Sequence, residues 1–375
     1  MVWFGVGDIA ATTTQDAYES PDTDGKLGGE YDMAYTYYTI APMYLYDNLT
    51  DALGKAKNSS CKGVVPMYSG TISGDFIIPD GVTLLIPFDS ANTMFTTVPG
   101  FIYSDNKSVE DLYCSLTLAS DSSITVNSGG AISVSTVAHS ADGAETGGYP
   151  CGDYSKLVLQ ADSTITVNGG ANLYVWGFIT GDSTGSGTIT VKSGATVYES
   201  FQMAGHRGGN QSTSMKNGVF PISQYYVHNV EVPMTLEAGA VETCNTWINV
   251  SSLLYKDTQV PIAFVGPNGL FNLTDGKVTK YYDGTKDRWG LIIEGDVTIS
   301  PITLSFGDDG SINSASYILG INNNLTLEIK SGTVTVGQDI AFQPGSELVI
   351  ENDAKCVLGE GVSAYVYDGD NWGNF

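Results

Sequence analysis

The feature that most constrains this chain is a near-duplication of twenty residues. SLTLASDSSITVNSGGAISV (115–134) is followed by KLVLQADSTITVNGGANLYV (156–175), and the two segments begin and end 41 positions apart. In the first copy Ile124 and Val126 share one face of a strand, while Ser123 and Thr125 take the other. The same alternation returns 24 residues after the second copy's strand, in GTITVKSG, and resumes after residue 325. This pattern indicates one structural unit that recurs along the chain.

The uneven spacing of these returns favours a β-helix. Propellers and short-repeat solenoids keep a stricter period, whereas a parallel β-helix needs three short strands per coil and lets its turns swell into loops. One coil cannot enclose its own apolar side chains, so the next must stack about 4.8 Å above it. We therefore predict an all-β fold, a right-handed parallel β-helix over 61–375. Its rod would be on the order of 50 to 65 Å long.

Residues 1–60 are predicted to be an N-terminal lead-in and a capping helix. The lead-in, up to about residue 46, is expected to be irregular. The apolar stripe that follows has helical spacing and consists of Leu49, Ala52, Leu53 and Ala56. Asn48 suits the N-cap of this helix. Because the end of a solenoid exposes its interior, we predict that the helix covers the first coil.

The other end of the predicted solenoid is different. AYVYDGDNWGNF (364–375) contains no comparable capping pattern. This predicts that the natural polypeptide continues or that another subunit closes the last coil.

Composition restricts the setting and the partners. With 16 Lys+Arg against 41 Asp+Glu, the net charge of −25 disfavours nucleic acid, anionic membranes and anionic substrates. The five cysteines lack any C-x-x-C spacing, which favours buried free thiols, although one or two disulfides stay open. MVWFGVGDIA has no basic n-region and is not a signal peptide, and no apolar stretch reaches the length of a membrane span. Either an export signal was removed or the chain belongs to something larger.

Two segments resemble known proteins. GVVPMYSGTISGDFIIPDGVTLLIPFDSANT (63–93) resembles the opening coils of pectin-lyase-like β-helices. ANLYVWGFITGDSTGSGTITVKSGATVYESFQMAGHRGG (171–209) is similar to a segment of large secreted or surface-displayed proteins of anaerobic Gram-positive gut bacteria. The resemblance implies an extracellular, wall-associated setting and membership of a longer multidomain chain.

Enzymes of the pectin-lyase-like group often act on acidic polysaccharides, which raises a catalytic hypothesis. Polygalacturonases carry paired Asp residues with Gly-His-Gly and Arg-x-Lys segments, and here only GHRGG (205–209) and the Asp pair at 308–309 come near. We therefore assign no catalytic residue. A polysaccharide lyase or glycoside hydrolase with an atypical acidic site stays the alternative, since a glycosidase needs only two well-placed carboxylates.

No cofactor or metal is predicted. The three histidines, His139, His206 and His228, are scattered. The acidic turn with Asp22, Asp24 and Glu30 misses the register of a calcium-binding EF-hand loop. Threonines in SIT, TIT and TVT are spaced too unevenly for an ice-binding lattice and are typical of solvent-facing strands.

The remaining signal is aromatic, with 22 Tyr and 5 Trp. Such rings suit sugars and protein interfaces, but they also pack between neighbouring coils. The candidate ligand-binding residues are Tyr174, Trp176, His206, Arg207, Tyr225, Tyr226 and Trp247. We predict a non-catalytic extracellular module of a bacterial cell-surface protein, an adhesin or rigid spacer toward glycans or host proteins. A purely structural stalk, associating end to end, is a third hypothesis.

Overall fold

The computed structural model describes only part of the chain. The described residues are 2–19, 30–86, 114–134, 156–175, 178–200, 202–203, 226–227, 230–245, 249–255, 258–265, 275–283, 285–286, 288–299, 304–306, 310–312, 318–321, 325–342, 345–367 and 372–374. Over these ranges the fold is all-β apart from one helix, and parallel sheets predominate.

The elements of the first half are short, apart from the first two strands. They are β1 Phe4–Glu19, β2 Glu30–Tyr46, α1 Leu49–Lys57, β3 Gly63–Pro66, β4 Gly70–Ile72, β5 Asp75–Ile78, β6 Thr83–Ile86, β7 Ser115–Leu118, β8 Ser123–Val126, β9 Ala131–Val134, β10 Lys156–Leu159, β11 Thr164–Val167, β12 Asn172–Val175, β13 Phe178–Thr180, β14 Thr188–Val191, β15 Thr196–Ser200, β16 Gln202–Met203 and β17 Tyr226–Val227.

The second half contains several longer strands. Its elements are β18 Met234–Glu237, β19 Val241–Asn245, β20 Asn249–Tyr255, β21 Thr258–Val265, β22 Lys277–Asp283, β23 Arg288–Glu294, β24 Val297–Ile299, β25 Leu304–Phe306, β26 Gly310–Ile312, β27 Ile318–Ile321, β28 Leu325–Ser331, β29 Thr333–Val336, β30 Ile340–Phe342, β31 Glu347–Ile350, β32 Lys355–Leu358, β33 Ala364–Tyr367 and β34 Trp372–Asn374.

Two sets of parallel strands organise the molecule. The N-terminal stack consists of three parallel runs, β3-β6-β9-β12-β15-β19, β4-β7-β10-β13 and β5-β8-β11-β14-β18. The C-terminal stack consists of β23-β28-β31, β24-β29-β32 and β21-β27-β30-β33. Strand β22 joins the stacks, because it pairs antiparallel with β18 on one side and with β23 on the other.

The duplicated segments lie directly on each other. Lys156 is opposite Ser115, Thr164 is opposite Ser123 and Asn172 is opposite Ala131, so all three strands of one copy pair in parallel with their counterparts in the other. The 41-residue offset in the sequence is therefore the register of the sheets. Because side chains alternate along each strand, this register places apolar positions over apolar positions throughout.

A column of glycines shapes the turns that precede the first parallel sheet's strands. Gly129, Gly170, Gly194 and Gly239 have φ angles of 76° to 79°, in the left-handed region. Each of the first three donates its N–H to the carbonyl of the next, at 2.8 to 2.9 Å. Glycine reaches this conformation without the strain that a Cβ would add. The recurring glycine in NSGG, NGGA, KSGA and EAGA is therefore a backbone requirement of the stacked turn.

The predicted helix is confirmed. α1 begins after Asn48, whose side chain accepts a hydrogen bond from the N–H of Asp51 at 2.8 Å. Its apolar stripe is buried against β1, β2, β3 and β5, and one apolar cluster continues from the helix through both stacks to Ala364. The helix therefore covers the inward-facing side chains at the start of the N-terminal stack.

The prediction of an irregular lead-in is wrong. β1 and β2 pair antiparallel from Phe4 opposite Tyr46 to Glu19 opposite Glu30, with one register shift between Val6 and Gly7. β1 also pairs antiparallel with β3 and so extends the first sheet. Tyr-rich runs such as YDMAYTYYTI form strands readily, because aromatic and β-branched residues suit a pleated surface. Their lack of a polar–apolar alternation concealed this in the sequence.

Candidate functional site

Tyr174 is the one predicted binding residue whose side chain lies in the described part of the chain. It sits on β12 opposite Tyr198 of β15, and the two rings are stacked with centroids 4.8 Å apart and planes 9° from parallel. Both side chains are half-buried. The separation equals the spacing of paired strands, so the rings stack along the direction in which coils repeat. Tyr174 therefore contributes to the contact between the neighbouring strands β12 and β15.

The other predicted residues cannot be placed beside Tyr174. Trp176, His206, Arg207, Tyr225 and Trp247 lie outside the described residues. Tyr226 is opposite Met203 in the short pair formed by β16 and β17, and its backbone alone is described. The acidic turn with Asp22 and Asp24 also lies outside the described residues.

A cluster of polar side chains lies on the C-terminal stack, and the sequence did not predict it. This Arg288 cluster consists of Tyr281, Arg288, Thr326, Glu328 and Glu347. The hairpin of β22 and β23 positions its first two members. Its turn is closed by the Asp283 carboxylate, which accepts hydrogen bonds from the Thr285 hydroxyl at 2.6 Å and the Thr285 N–H at 3.0 Å. These bonds, the hydroxyl's first, lower the pKa of Asp283.

Tyr281 lies over a glycine on the neighbouring strand. Gly290 is directly opposite Tyr281, and a Cβ at Gly290 would come 2.2 Å from the ring's Cζ. An aromatic ring laid over a strand glycine covers backbone that would otherwise be exposed. The glycine thus gives Tyr281 its place on the outer face of the sheet.

Arg288 connects three successive strands of this sheet. Its Nη2 donates to the carbonyl of Leu325 at 3.2 Å and to that of Gly345 at 2.6 Å. Its Nη1 lies 3.2 Å from Oε1 of Glu347, whose Oε2 accepts from the Thr326 hydroxyl at 3.1 Å. Only 17% of the arginine side chain is exposed, against 51% for Glu347. The guanidinium links neighbouring strands of the sheet, whereas the carboxylate of Glu347 that it orients faces solvent.

The cluster offers both hydrogen-bond donors and hydrogen-bond acceptors. Burial, followed by repulsion from Glu328 and Asp283, raises the pKa of Tyr281, so its phenol is a neutral donor at physiological pH. Glu328 lies diagonal to Glu347, because Thr326 is opposite Glu347 and Glu328 is opposite Val349. Strand spacing and rise put their Cα atoms roughly 8 Å apart. Such a surface suits a ligand rich in hydroxyl groups.

Only part of this cluster has a signal in the sequence. The DGT turn between YY and RWG predicts a hairpin that brings Tyr281 near Arg288. Glu347 lies far along the chain, in an ordinary strand, and only the pairing of β28 with β31 brings it to Arg288.

The same described ranges bear on metal binding, membrane insertion and thiol chemistry. They contain no group of three His, Cys, Asp or Glu side chains arranged to hold a metal ion. No described helix is long and apolar enough to cross a membrane. Cys61, Cys114 and Cys356 are free thiols, the first two buried as predicted and Cys356 partly exposed, and burial raises the pKa of Cys114 to about 12.

No protein family, curated protein or solved structure matches the chain. The parallel sheets are compatible with the resemblance to pectin-lyase-like β-helices, and that resemblance stays a prediction.

Proposed function

We propose that the chain is a right-handed parallel β-helix that serves as a non-catalytic extracellular module of a bacterial surface protein, presenting a binding face for glycans or proteins on a rigid support. The observation that carries this proposal is the in-register stacking of the duplicated strands around one apolar cluster. Stacked parallel strands resist bending, because every strand is hydrogen-bonded to its neighbours along the repeat.

The outer faces support the binding part of the proposal. Tyr281, with a neutral phenol, shares the outer face of this sheet with the carboxylates of Glu328 and Glu347, a combination of flat ring and acceptors that suits the faces and hydroxyls of a sugar. The net charge of −25 favours a neutral or basic partner over an acidic one.

The test is a screen of the protein against glycan arrays and extracellular proteins, with Tyr281→Ala as the probe variant. We expect a hit that Tyr281→Ala weakens at least tenfold. Tyr68→Ala is the matched control, since Tyr68 is an exposed tyrosine on a different part of the chain. Blank panels of mucin, plant and host-protein ligands would remove the binding role and leave a spacer.

A second function is favoured by the two carboxylates of the Arg288 cluster. Glycosidases use carboxylate pairs separated by roughly 5 to 10 Å, and the diagonal placement of Glu328 and Glu347 falls within reach of that separation. Release of reducing ends or unsaturated products from a polysaccharide panel, abolished by Glu328→Gln or Glu347→Gln, would establish an enzyme. Glu360→Gln is the control, since Glu360 is exposed in a turn. Activity unchanged in both variants would rule out this site.

A further inference from the structure

Two sulfur atoms meet near the C-terminal end of α1. Sγ of Cys61 lies 3.7 Å from Sδ of Met43 and donates a hydrogen bond to it. The two residues are 18 positions apart, one before the helix and one after it, so the fold brings their sulfurs together. Thiolate and thioether sulfurs are the soft ligands that protein side chains offer to metal ions.

A β-bulge presents Met43 to the thiol. Along the hairpin of β1 and β2, Val6 is opposite Tyr44 and Gly7 is opposite Pro42, which leaves Met43 as the extra residue between them. Such a residue has its side chain re-aimed by the bulge, and bulges are frequent next to functional sites. The Met43 side chain is 61% exposed, yet its sulfur contacts a thiol that is almost fully buried. The pair is therefore reached from solvent through the thioether.

The loop between α1 and β3 fixes the position of Cys61. The carbonyl of Cys61 accepts a hydrogen bond from the Ser59 hydroxyl at 3.2 Å. Lys62, the next residue, donates from Nζ to the carbonyls of Ala56 and Lys57, each at 3.1 Å, and so ties the loop to the last turn of the helix. The thiol is thus positioned by bonds of its own loop, as a pre-organised metal ligand requires.

We propose that Cys61 and Met43 bind a soft monovalent metal ion, Cu(I), through the thiolate and the thioether. Two metal–sulfur bonds of about 2.3 Å span the separation between the sulfurs in a bent geometry, after little movement of either side chain. A third position is left open on the side where the Met43 side chain meets solvent. Two sulfur ligands suit an ion of low coordination number, whereas a structural Zn²⁺ site takes four protein ligands.

The charge balance of the site also favours a monovalent ion. The ion binds as the thiol proton leaves, so the Cys61–Cu(I) unit is as neutral as the protonated thiol. A divalent ion on the same two sulfurs would bring a net positive charge to the apolar cluster of which Cys61 is a member. Burial of the thiol therefore disfavours Zn²⁺ and Cu²⁺ at this place.

Competition for Cu(I) tests the site. The intact chain is titrated without oxygen with Cu(I), kept reduced by ascorbate, against the chelator bicinchoninate. Met43→Leu keeps the apolar bulk of an exposed side chain and removes its sulfur, so it should fold and should weaken the tightest site at least tenfold. Cys61→Ser should weaken that site further. Cys356→Ser is the matched control and should leave it unchanged, although Cys356 carries the more exposed thiol.

Three results would overturn the proposal. The first is a wild type that yields all its Cu(I) to the chelator. The second is equal affinity in the wild type and Met43→Leu, which would leave the thioether without a role. The third is an equal loss in Cys61→Ser and Cys356→Ser, which would show adventitious thiol binding only. The second result is decisive even if Cys61→Ser fails to fold.

X-ray absorption at the copper edge tests the ligands. With one equivalent of Cu(I), the wild type should show two sulfur neighbours at about 2.3 Å, and Met43→Leu should show one fewer. The same sulfur coordination in both proteins would contradict a bond to Met43. Neither experiment uses a glycan, so failure of this metal site and failure of the proposed surface function are separate outcomes.

Discussion

The two ends of the parallel stacks differ in how far their inward-facing side chains are covered. At the start of the N-terminal stack Val64 and Ile78 are fully buried, because α1 lies against β3 and β5, which carry them. At the last coil Ile350 and Leu358 occupy corresponding inward positions and are about half exposed. Stacked strands bury their inward-facing side chains only through what lies above and below them, so a helix can take the place of a neighbouring strand layer.

The largest expected effect comes from removing one leucine at each end. Leu53→Ala in α1 should lower the free energy of unfolding by about 2 to 5 kcal/mol, because a fully enclosed side chain leaves a cavity. Leu358→Ala should cost below about 1.5 kcal/mol in the monomer, since roughly half of that side chain already meets solvent. Urea denaturation at low protein concentration measures both values. Equal losses would mean that the last coil is covered after all.

The glycine column of the N-terminal stack gives the next effect. Gly170→Ala should destabilise the protein by about 1 to 2 kcal/mol or more, because φ is 79° there and a Cβ would approach Ser128 Oγ to 2.5 Å. Gly54→Ala in α1 is the matched control. No atom lies within 4 Å of a Cβ placed there, so it should stabilise by up to about 1 kcal/mol. Thermal unfolding distinguishes the two, and a stabilising Gly170→Ala would contradict the requirement for a left-handed turn.

The cap of α1 is expected to contribute about 1 kcal/mol. Asn48→Ala removes the side-chain oxygen that accepts from the Asp51 N–H, and leaves that donor to water. Asn48→Asp keeps an acceptor at the same place and should retain most of the stability. The free energy of unfolding of both variants is the measurement. If Asn48→Ala were as stable as Asn48→Asp, the capping bond would have no energetic role.

The smallest effect concerns an ion pair of the C-terminal stack. Hydrogen bonding from Lys277, with attraction from Lys330, lowers the pKa of Glu294. A lowered carboxylate pKa adds stability above the ordinary Glu pKa of about 4.3, and that stability is lost as pH falls through the folded-state value. Glu294→Gln should therefore cost up to about 1 kcal/mol at neutral pH and nothing in acid. A cost that persists in acid would point to packing instead.

The sequence predicted the repeating part of the fold well because each stacked strand carries its own local signal. Alternation gave the strands, the duplication predicted their register, and the Asn48 cap with its apolar stripe predicted α1. The hairpin of β1 and β2 and the antiparallel junction at β22 were not predicted, because strand direction depends on where the chain returns and not on which residues alternate. The aromatic signal in the sequence pointed to Tyr174, which lies outside the Arg288 cluster, and nothing local in the sequence linked Arg288 to Glu347.

What the sequence by itself determined is therefore local: which residues form short strands, where glycine is needed, and which helix begins after Asn48. The tertiary structure alone decided which strands stand at an edge, which inward-facing residues remain exposed, and which side chains from distant strands meet around Arg288. The physical reason is that alternation and backbone conformation are properties of neighbours in the chain, whereas burial and charge pairing belong to neighbours in space.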